Sequence, residues 1–264
     1  MSPADLDARE AAATRVMRDA GKLARQYFDR RGELTIELKG KQDLVSVADK
    51  SVEELIRREL GPLFPDDAFL GEEGGGTGAD RVWVIDPIDG TMNFLRGLPY
   101  WCCVLAYVVN GRPEIALTMD PVHDELYVAR RGRGATRDGA PIRVSGVTSP
   151  SSACVGLSFN FKQPVERYMA MMDRLTTDGF DHRRMGSSAL SLCHVADGRL
   201  DATVALMCSS WDVIAGLLLV EEAGGYATDW IDGASLTDTR AIGACAPGIA
   251  AAFERGIGFS LPRR

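Results

Sequence analysis

Trp83-Val84-Ile85-Asp86-Pro87-Ile88-Asp89-Gly90-Thr91 is the stretch on which the reading of this chain turns. The apolar run 82–85 predicts a buried strand, and it leads straight into two carboxylates and a turn. Pro87 cannot continue a sheet ladder and Gly90 permits a sharp reversal, so Asp86 and Asp89 can both address one point beyond the strand end. Two carboxylates at one point call for a cation. Asp-Pro and Asp-Gly also serve as ordinary turn residues, so the pair alone leaves both readings open.

Upstream, Phe69-Leu70-Gly71-Glu72-Glu73-Gly74 ends a short apolar stretch in paired acids that can approach Asp86, although such pairs are commonly surface charge. The run Gly74-Gly75-Gly76-Thr77-Gly78-Ala79 superficially fits G-x-G-x-x-A. A dinucleotide fingerprint follows a strand and opens a helix, whereas this run leads into a strand, and no Gly-Lys-Ser/Thr accompanies it. A mobile loop is expected there. Downstream, Trp211-Asp212 precedes a predicted helix at 213–223 that is apolar almost all round, as a helix buried between layers is, and Gly224-Gly225 stops it. Asp212 has the chemistry of an N-cap, and capping alone would explain it.

Around these segments, Val16, Ala20, Leu23, Ala24 and Tyr27 recur at helical spacing, and Val52, Leu55 and Ile56 repeat the pattern before Gly61-Pro62. Strands are predicted at 104–109, 115–119 and 126–129, with turns at Asn110-Gly111 and Asp138-Gly139. After Ser149-Pro150-Ser151-Ser152 the texture changes to strand 154–157, helices 165–175 and 188–196, and strand 202–206. The expected organisation is an α+β half at residues 1–148, carrying most of the acidic motifs on a hairpin sheet, and an α/β half at 149–264 that supplies Asp212.

The 264 residues, 45% hydrophobic and 25% charged, suffice for one large domain or two modest ones. A net charge of −7 and a pI near 5.1 exclude a general nucleic-acid binder and point to a small substrate. Arg130, Arg131, Arg133, Arg137 and Arg143 form a basic stretch in a Gly-rich hairpin region, where solvated charges are expected. Six cysteines without a C-x-x-C pair read as buried free thiols in a reducing cytoplasm. The N-terminal Asp5, Asp7, Arg9 and Glu10 do not make a signal peptide, and apolar runs such as 213–220 fall short of the roughly 20 residues that cross a bilayer.

A Ser-His-Asp hydrolase finds little support. His123, His182 and His194 are the histidines, and Gly156-Leu157-Ser158-Phe159-Asn160 lacks the last glycine of G-x-S-x-G. His194 lies in an apolar helical stretch and reads as a satisfied core residue, while His123 follows Pro121 in a turn.

Together, Gly71-Glu72-Glu73, Asp86-Pro87-Ile88-Asp89-Gly90-Thr91-Met92-Asn93-Phe94, and Trp211-Asp212 through Glu222-Ala223-Gly224-Gly225 resemble the inositol monophosphatase family of lithium-sensitive, metal-dependent phosphatases. The resemblance runs in order from Asp43-Leu44-Val45 and Asp49 to Gly225. It implies a layered αβαβα sugar-phosphatase-type fold and a homodimer. It implies one Mg²⁺ on Glu72, Asp86 and the backbone carbonyl of Ile88, a second on Asp86, Asp89 and Asp212, and a further, weaker one near Glu72. By the same resemblance Glu72 and Thr91, with Asp49, orient or deprotonate the attacking water. The N–H groups of Gly90 and Thr91 hold the phosphate, Asp89 and Asp212 border the substrate, and Ser188 of Gly186-Ser187-Ser188-Ala189 is the expected contact with it.

All-oxygen donors suit a hard cation such as Mg²⁺. The intact set of Glu72, Thr91 and the aspartates favours turnover over a phosphate-ester sensor. One position departs from the pattern: inositol-handling relatives carry a Glu seven residues before the last metal-binding Asp, and here that position is Ala205. Inositol 1-phosphate therefore shares the field with histidinol phosphate, 3′-phosphonucleotides and sugar phosphates.

Overall fold

The computed structural model describes residues 2–33, 36–40, 43–76, 79–160, 163–232 and 235–263. Helix α1 (Pro3–Asp29) starts with a reciprocal cap: the Ser2 hydroxyl accepts the Asp5 N–H at 3.2 Å, and the Asp5 carboxylate accepts the Ser2 N–H at 2.9 Å. A small hairpin of β1 (Ile36–Gly40) and β2 (Asp43–Ser46) then leads into α2 (Val47–Leu60). The apolar stripes read from the sequence are the buried faces of α1 and α2, with Val16, Ala20, Ala24, Val52 and Ile56 each at most 1% exposed.

A seven-stranded sheet follows: β3 (Ala68–Gly71), β4 (Arg81–Asp89), β5 (Cys102–Val109), β6 (Arg112–Asp120), β7 (Glu125–Arg130), β8 (Gly134–Arg137) and β9 (Ala140–Pro141), in that spatial order. The β3–β4 pair is parallel and the rest are antiparallel. A one-and-a-half-turn helix, α3 (Thr91–Arg96), separates β4 from β5. The turns at Asn110-Gly111 (φ 49° and 78°) and Asp138-Gly139 (φ 51° and 79°) have the positive φ values of two-residue hairpin loops, as their sequences predict.

The second half builds β10 (Cys154–Ser158), α4 (Val165–Thr177), β11 (Asp181–Arg183), α5 (Ser188–Ala196), β12 (Ala202–Ser209), α6 (Ser210–Glu222), β13 (Tyr226–Ala227), β14 (Thr239–Cys245) and α7 (Ala250–Ile257). Its sheet runs β11-β10-β12-β14-β13, parallel over the first two pairings and antiparallel over the last two.

Alternation along the strands stacks these parts. On β4, Trp83 and Ile85 pack with α1 and α2, while Val82 and Val84 pack with α5 and α6. On β12, Ala205 joins the α5/α6 core, whereas Ala202, Val204 and Leu206 pack with α4 and α7. The order of layers is therefore α1/α2, seven-stranded sheet, α5/α6, five-stranded sheet, α4/α7. Helix α6 lies in the middle layer with a sheet on either side, which is why its sequence is apolar all round.

The basic stretch departs from expectation. Arg130 is 5% exposed and pairs with Asp7 of α1 and with Glu10 at 3.5 Å; Arg131 meets Glu221 at 3.1 Å and Arg137 meets Asp197 at 2.6 Å. These cations fasten helices to the sheet edge rather than standing solvated. All six cysteines are free, and five are buried. Among the described residues no helix is long and apolar enough to cross a membrane.

The middle layer depends on close helix approach at Gly216, where a Cβ would stand 2.5 Å from the Leu192 Cβ of α5. Gly216→Ala is expected to cost about 1–3 kcal/mol in denaturant unfolding through overpacking. Wild-type stability in that variant would contradict the packing of α5 on α6.

Candidate functional site

The alternation that puts Val82 and Val84 toward α6 puts Asp86 on the same side, two residues further along. The ladder then slips: Asp86 faces Val104 while Asp89 faces Cys102, so β4 carries one residue more than β5 across this interval. Such a bulge re-aims side chains at the end of a strand. The Ile88 N–H donates to Asp86 Oδ1 at 3.0 Å, and Gly90, at φ 98°, turns the chain into α3, whose Thr91 hydroxyl donates to the Ile88 carbonyl at 3.0 Å. The first N–H groups of α3 have no partner within the helix.

Two other elements supply acids to this point. Because β3 is parallel to β4, the residue just past β3 stands beside the end of β4, and the Glu72 N–H donates to the Ile85 carbonyl at 3.2 Å. Asp212 lies in the first turn of α6. The carboxylates of Glu72, Asp86 and Asp212 each offer an oxygen within 4.8 Å of the others, with Asp86 buried and its two neighbours half-buried. Asp89 stands beside this triad with one oxygen already engaged: its Oδ2 accepts the Ser187 hydroxyl at 2.5 Å and the Ala189 N–H at 2.7 Å, at the start of α5.

Like charges and burial act together here. Burial pushes the Asp86 carboxyl well above the usual range, and the neighbouring charges of Glu72, Asp89 and Asp212 push it further. Burial likewise raises Asp89 to about 6, against the bonds from Ser187, Ala189 and Ser188 that favour its charged form. An all-carboxylate, partly buried donor set of this kind fits a hard divalent cation such as Mg²⁺, whose charge relieves the repulsion.

The remaining expected residues fall around this cluster. Asp49 is 2% exposed in the first turn of α2, and the Cys103 thiol, raised by burial, feels the charges of both Asp86 and Asp49. Ser188 opens α5, with its hydroxyl donating to Ser158 Oγ at 3.0 Å. Its neighbour Ser187 is the N-cap of α5 and the one whose hydroxyl bonds Asp89, a distinction the Ser-Ser pair does not reveal in sequence. Asp212 is not the N-cap of its helix. Ser209 occupies that position, and Asp212, three residues on, accepts the Ser209 N–H at 3.1 Å because α6 begins earlier than its apolar run.

The glycine run after Glu73 also departs from a simple mobile loop. Gly71 and Gly75 bridge, and the Gly74 N–H is held by Glu53; Thr77 and Gly78 of that run lie outside the described residues. His194 is mostly buried and satisfied by the Tyr100 hydroxyl at 3.3 Å and Arg199 Nη1 at 3.3 Å.

Two further residues escaped the sequence reading. Asn93 donates to the carbonyls of Tyr100 and Met185 at 2.7 and 2.8 Å, tying α3 to the segment before α5. Glu53, four residues from Arg57, looks like an ordinary exposed helix pair but is buried behind Glu72.

Five alternating layers with an acidic cluster at the strand ends define a layered α+β fold of the sugar-phosphatase type. Comparison with known proteins gives the family. The model of the inositol monophosphatase family matches residues 5–256. A Nus factor SuhB from Pasteurella multocida is 39% identical over 242 residues, covering 90% of this chain and 91% of that protein. One from Escherichia coli K12 is 36% identical over 226 residues, covering 84% and 85%. The extragenic suppressor protein suhB from Bartonella henselae superposes with a TM-score of 0.89 at 30% identity, covering 95% of this chain and 98% of that one. An inositol monophosphatase from Anabaena superposes with a TM-score of 0.81 at 32% identity, covering 96% of both. The chain belongs to the inositol monophosphatase family, and that membership supports a phosphatase-type function.

The raised carboxyl pKa of Asp89 sets a direction for stability. Between the ordinary value of 3.8 and about 6, the folded protein in chelator holds more protons than the unfolded chain. The contribution of protonated Asp89 is thus present below pH about 4 and lost as pH rises through about 6. Asp89→Asn, which keeps an accepting oxygen for Ser187, should gain stability relative to wild type as pH rises from 4 to 7 in chelator. A stability difference independent of pH in denaturant titrations would contradict the raised value.

Proposed function

We propose that this chain is a Mg²⁺-dependent phosphatase of a small phosphate monoester. The observation that carries the reading is the convergence of Glu72, Asp86 and Asp212, from three separate elements, on one point where strand end and helix start meet. In this reading Glu72, Asp86 and the Ile88 carbonyl would hold one Mg²⁺, and Asp86, Asp89 and Asp212 would hold another. Bound Mg²⁺ supplies positive charge that offsets the phosphate and lowers the pKa of water.

The protein's own groups do the rest. Glu72 and the Thr91 hydroxyl would orient the attacking water, whose proton the Glu72 carboxylate would accept, with Asp49 supporting them from α2. The N–H groups of Gly90 and Thr91 hold phosphate oxygens, and Asp89, Asp212 and Ser188 border the leaving group. Residues 1–148 act as the metal-binding half and 149–264 as the half that closes the site with Asp212. We place the protein in the cytoplasm, consistent with six free thiols, and as a homodimer in keeping with the family.

The position seven residues before Asp212, where inositol-handling relatives carry a Glu, is the neutral Ala205. Ser158 pairs with Ala205 across the β10–β12 register, and Ser158 and Ser188 share a hydroxyl bond. This favours substrates that do not need a carboxylate at that point, so histidinol phosphate, 3′-phosphonucleotides and sugar phosphates stand beside inositol 1-phosphate as substrates to test. A second reading comes from the relatives named Nus factor, at 39% identity over most of the chain: a protein partner in transcription, which does not require turnover.

A panel of inositol 1-phosphate, histidinol phosphate, fructose 1,6-bisphosphate and 3′-phosphoadenosine 5′-phosphate, compared by kcat/KM, separates these. Phosphate release from at least one substrate should require Mg²⁺, stop on chelation and be inhibited by Li⁺. Activity undiminished by thorough chelation would contradict the metal reading, and no release from any substrate in Mg²⁺ would favour the partner reading.

A further inference from the structure

Helix α2 meets the turn that carries Glu72 through a buried charge. The Glu53 side chain is 3% exposed, and its carboxylate reaches off the helix to the two residues after Glu72. Oε2 accepts the Glu73 N–H at 2.9 Å, and Oε1 accepts the Gly74 N–H at 3.0 Å and Arg57 Nε at 2.7 Å. Arg57 then donates through Nη2 to the Gly75 carbonyl at 2.8 Å, and its guanidinium lies over the Phe69 ring of β3 at 5.5 Å. The turn closes on itself where the Gly71 N–H meets the Gly75 carbonyl at 3.0 Å. The backbone around Glu72 is thus held by β4 on one side, through Ile85, by the Glu53–Arg57 pair on the other, and by the Gly71–Gly75 bond across the turn.

The glycines flanking Glu72 follow from the same contact. A Cβ on Gly71 would overlap the Glu53 carboxylate, and one on Gly74 would stand 2.5 Å from its Oε1. A buried carboxylate is costly unless it is fully bonded. Here its bonds go to one turn and one arginine, and they orient the acid that faces Asp86.

We propose that Glu53 is the positioning residue of the cation site: through the N–H groups of Glu73 and Gly74 it holds Glu72 at the distance from Asp86 and Asp212 that a divalent cation requires, with Arg57 as its counter-charge. This rests on the metal reading above. Partners of this kind set the orientation of a ligand and typically change metal affinity about 10–100-fold when altered.

The probe is Mn²⁺ alone, followed by electron paramagnetic resonance on the full chain without substrate. Glu53→Gln keeps the shape but points an amide NH₂ at an N–H donor; Gly74→Ala strains the same contact from the turn. Both should bind Mn²⁺ at least about tenfold more weakly than wild type. Glu54→Gln, one residue away and exposed, should bind as wild type does. A structural role alone would lower the thermal midpoint in chelator and leave Mn²⁺ affinity unchanged. Wild-type affinity in both Glu53→Gln and Gly74→Ala overturns the assignment, as does equal weakening in Glu54→Gln. If Glu53→Gln does not fold, Gly74→Ala decides alone. A wild-type protein that binds no Mn²⁺ refutes the metal reading itself, a separate failure from variants that bind normally.

Discussion

The constraint on which this molecule depends is the placing of a buried carboxylate, Asp86, among other carboxylates. Burial and the neighbouring charges of Glu72, Asp89 and Asp212 all oppose its ionisation, so the surrounding elements must hold the cluster against its own repulsion. The anchors are distributed. Asp86 is fixed by strand parity and its bond from the Ile88 N–H, Asp89 by the start of α5, Asp212 by the Ser209 N–H, and Glu72 by the turn that α2 grips. The acids come from strand ends and helix starts, where unpaired backbone N–H groups and helix dipoles favour negative charge.

This distribution explains the layering around it. A site assembled from β3, β4, α5 and α6 needs the middle helical layer pressed against both sheets, and the all-apolar α6 with its Gly216 approach to α5 provides that. The N-termini of α5 and α6 then meet the end of β4. The second half of the chain is therefore not an appendage to the first: it supplies Asp212 and the bonds that hold Asp89.

Much of this is legible in the sequence, where local chemistry and tertiary role coincide. Strand 82–85, the Asn110-Gly111 and Asp138-Gly139 turns and the buried helix after Asp212 are each specified by periodicity or turn chemistry, and the structure has them. Short or weakly patterned elements such as β11, β13 and β14 are not, because their residues become strands only by pairing with neighbours far along the chain. At the site, Glu72, Asp86 and Asp212 stand out beside turns and strand ends. Glu53 does not, since an i,i+4 pair with Arg57 looks the same exposed or buried. Ser187 and Ser188 are likewise indistinguishable until α5 is seen to cap Asp89 with the first. Arg130 misleads for the same reason: only the fold brings Asp7 and Glu10 to it.

The central claim, that the acids at the end of β4 and the start of α6 are a catalytic cation site rather than turn and capping residues, is tested most directly at Asp212. Asn there keeps an oxygen for the Ser209 N–H, so helix stability should change by no more than about 1 kcal/mol. Losing one negative donor should lower kcat on the order of a hundredfold, about 3 kcal/mol, across a Mg²⁺ titration. The account predicts that loss of kcat for Asp212→Asn with thermal unfolding in chelator close to wild type; near-normal kcat at ordinary Mg²⁺ in the folded variant would contradict it.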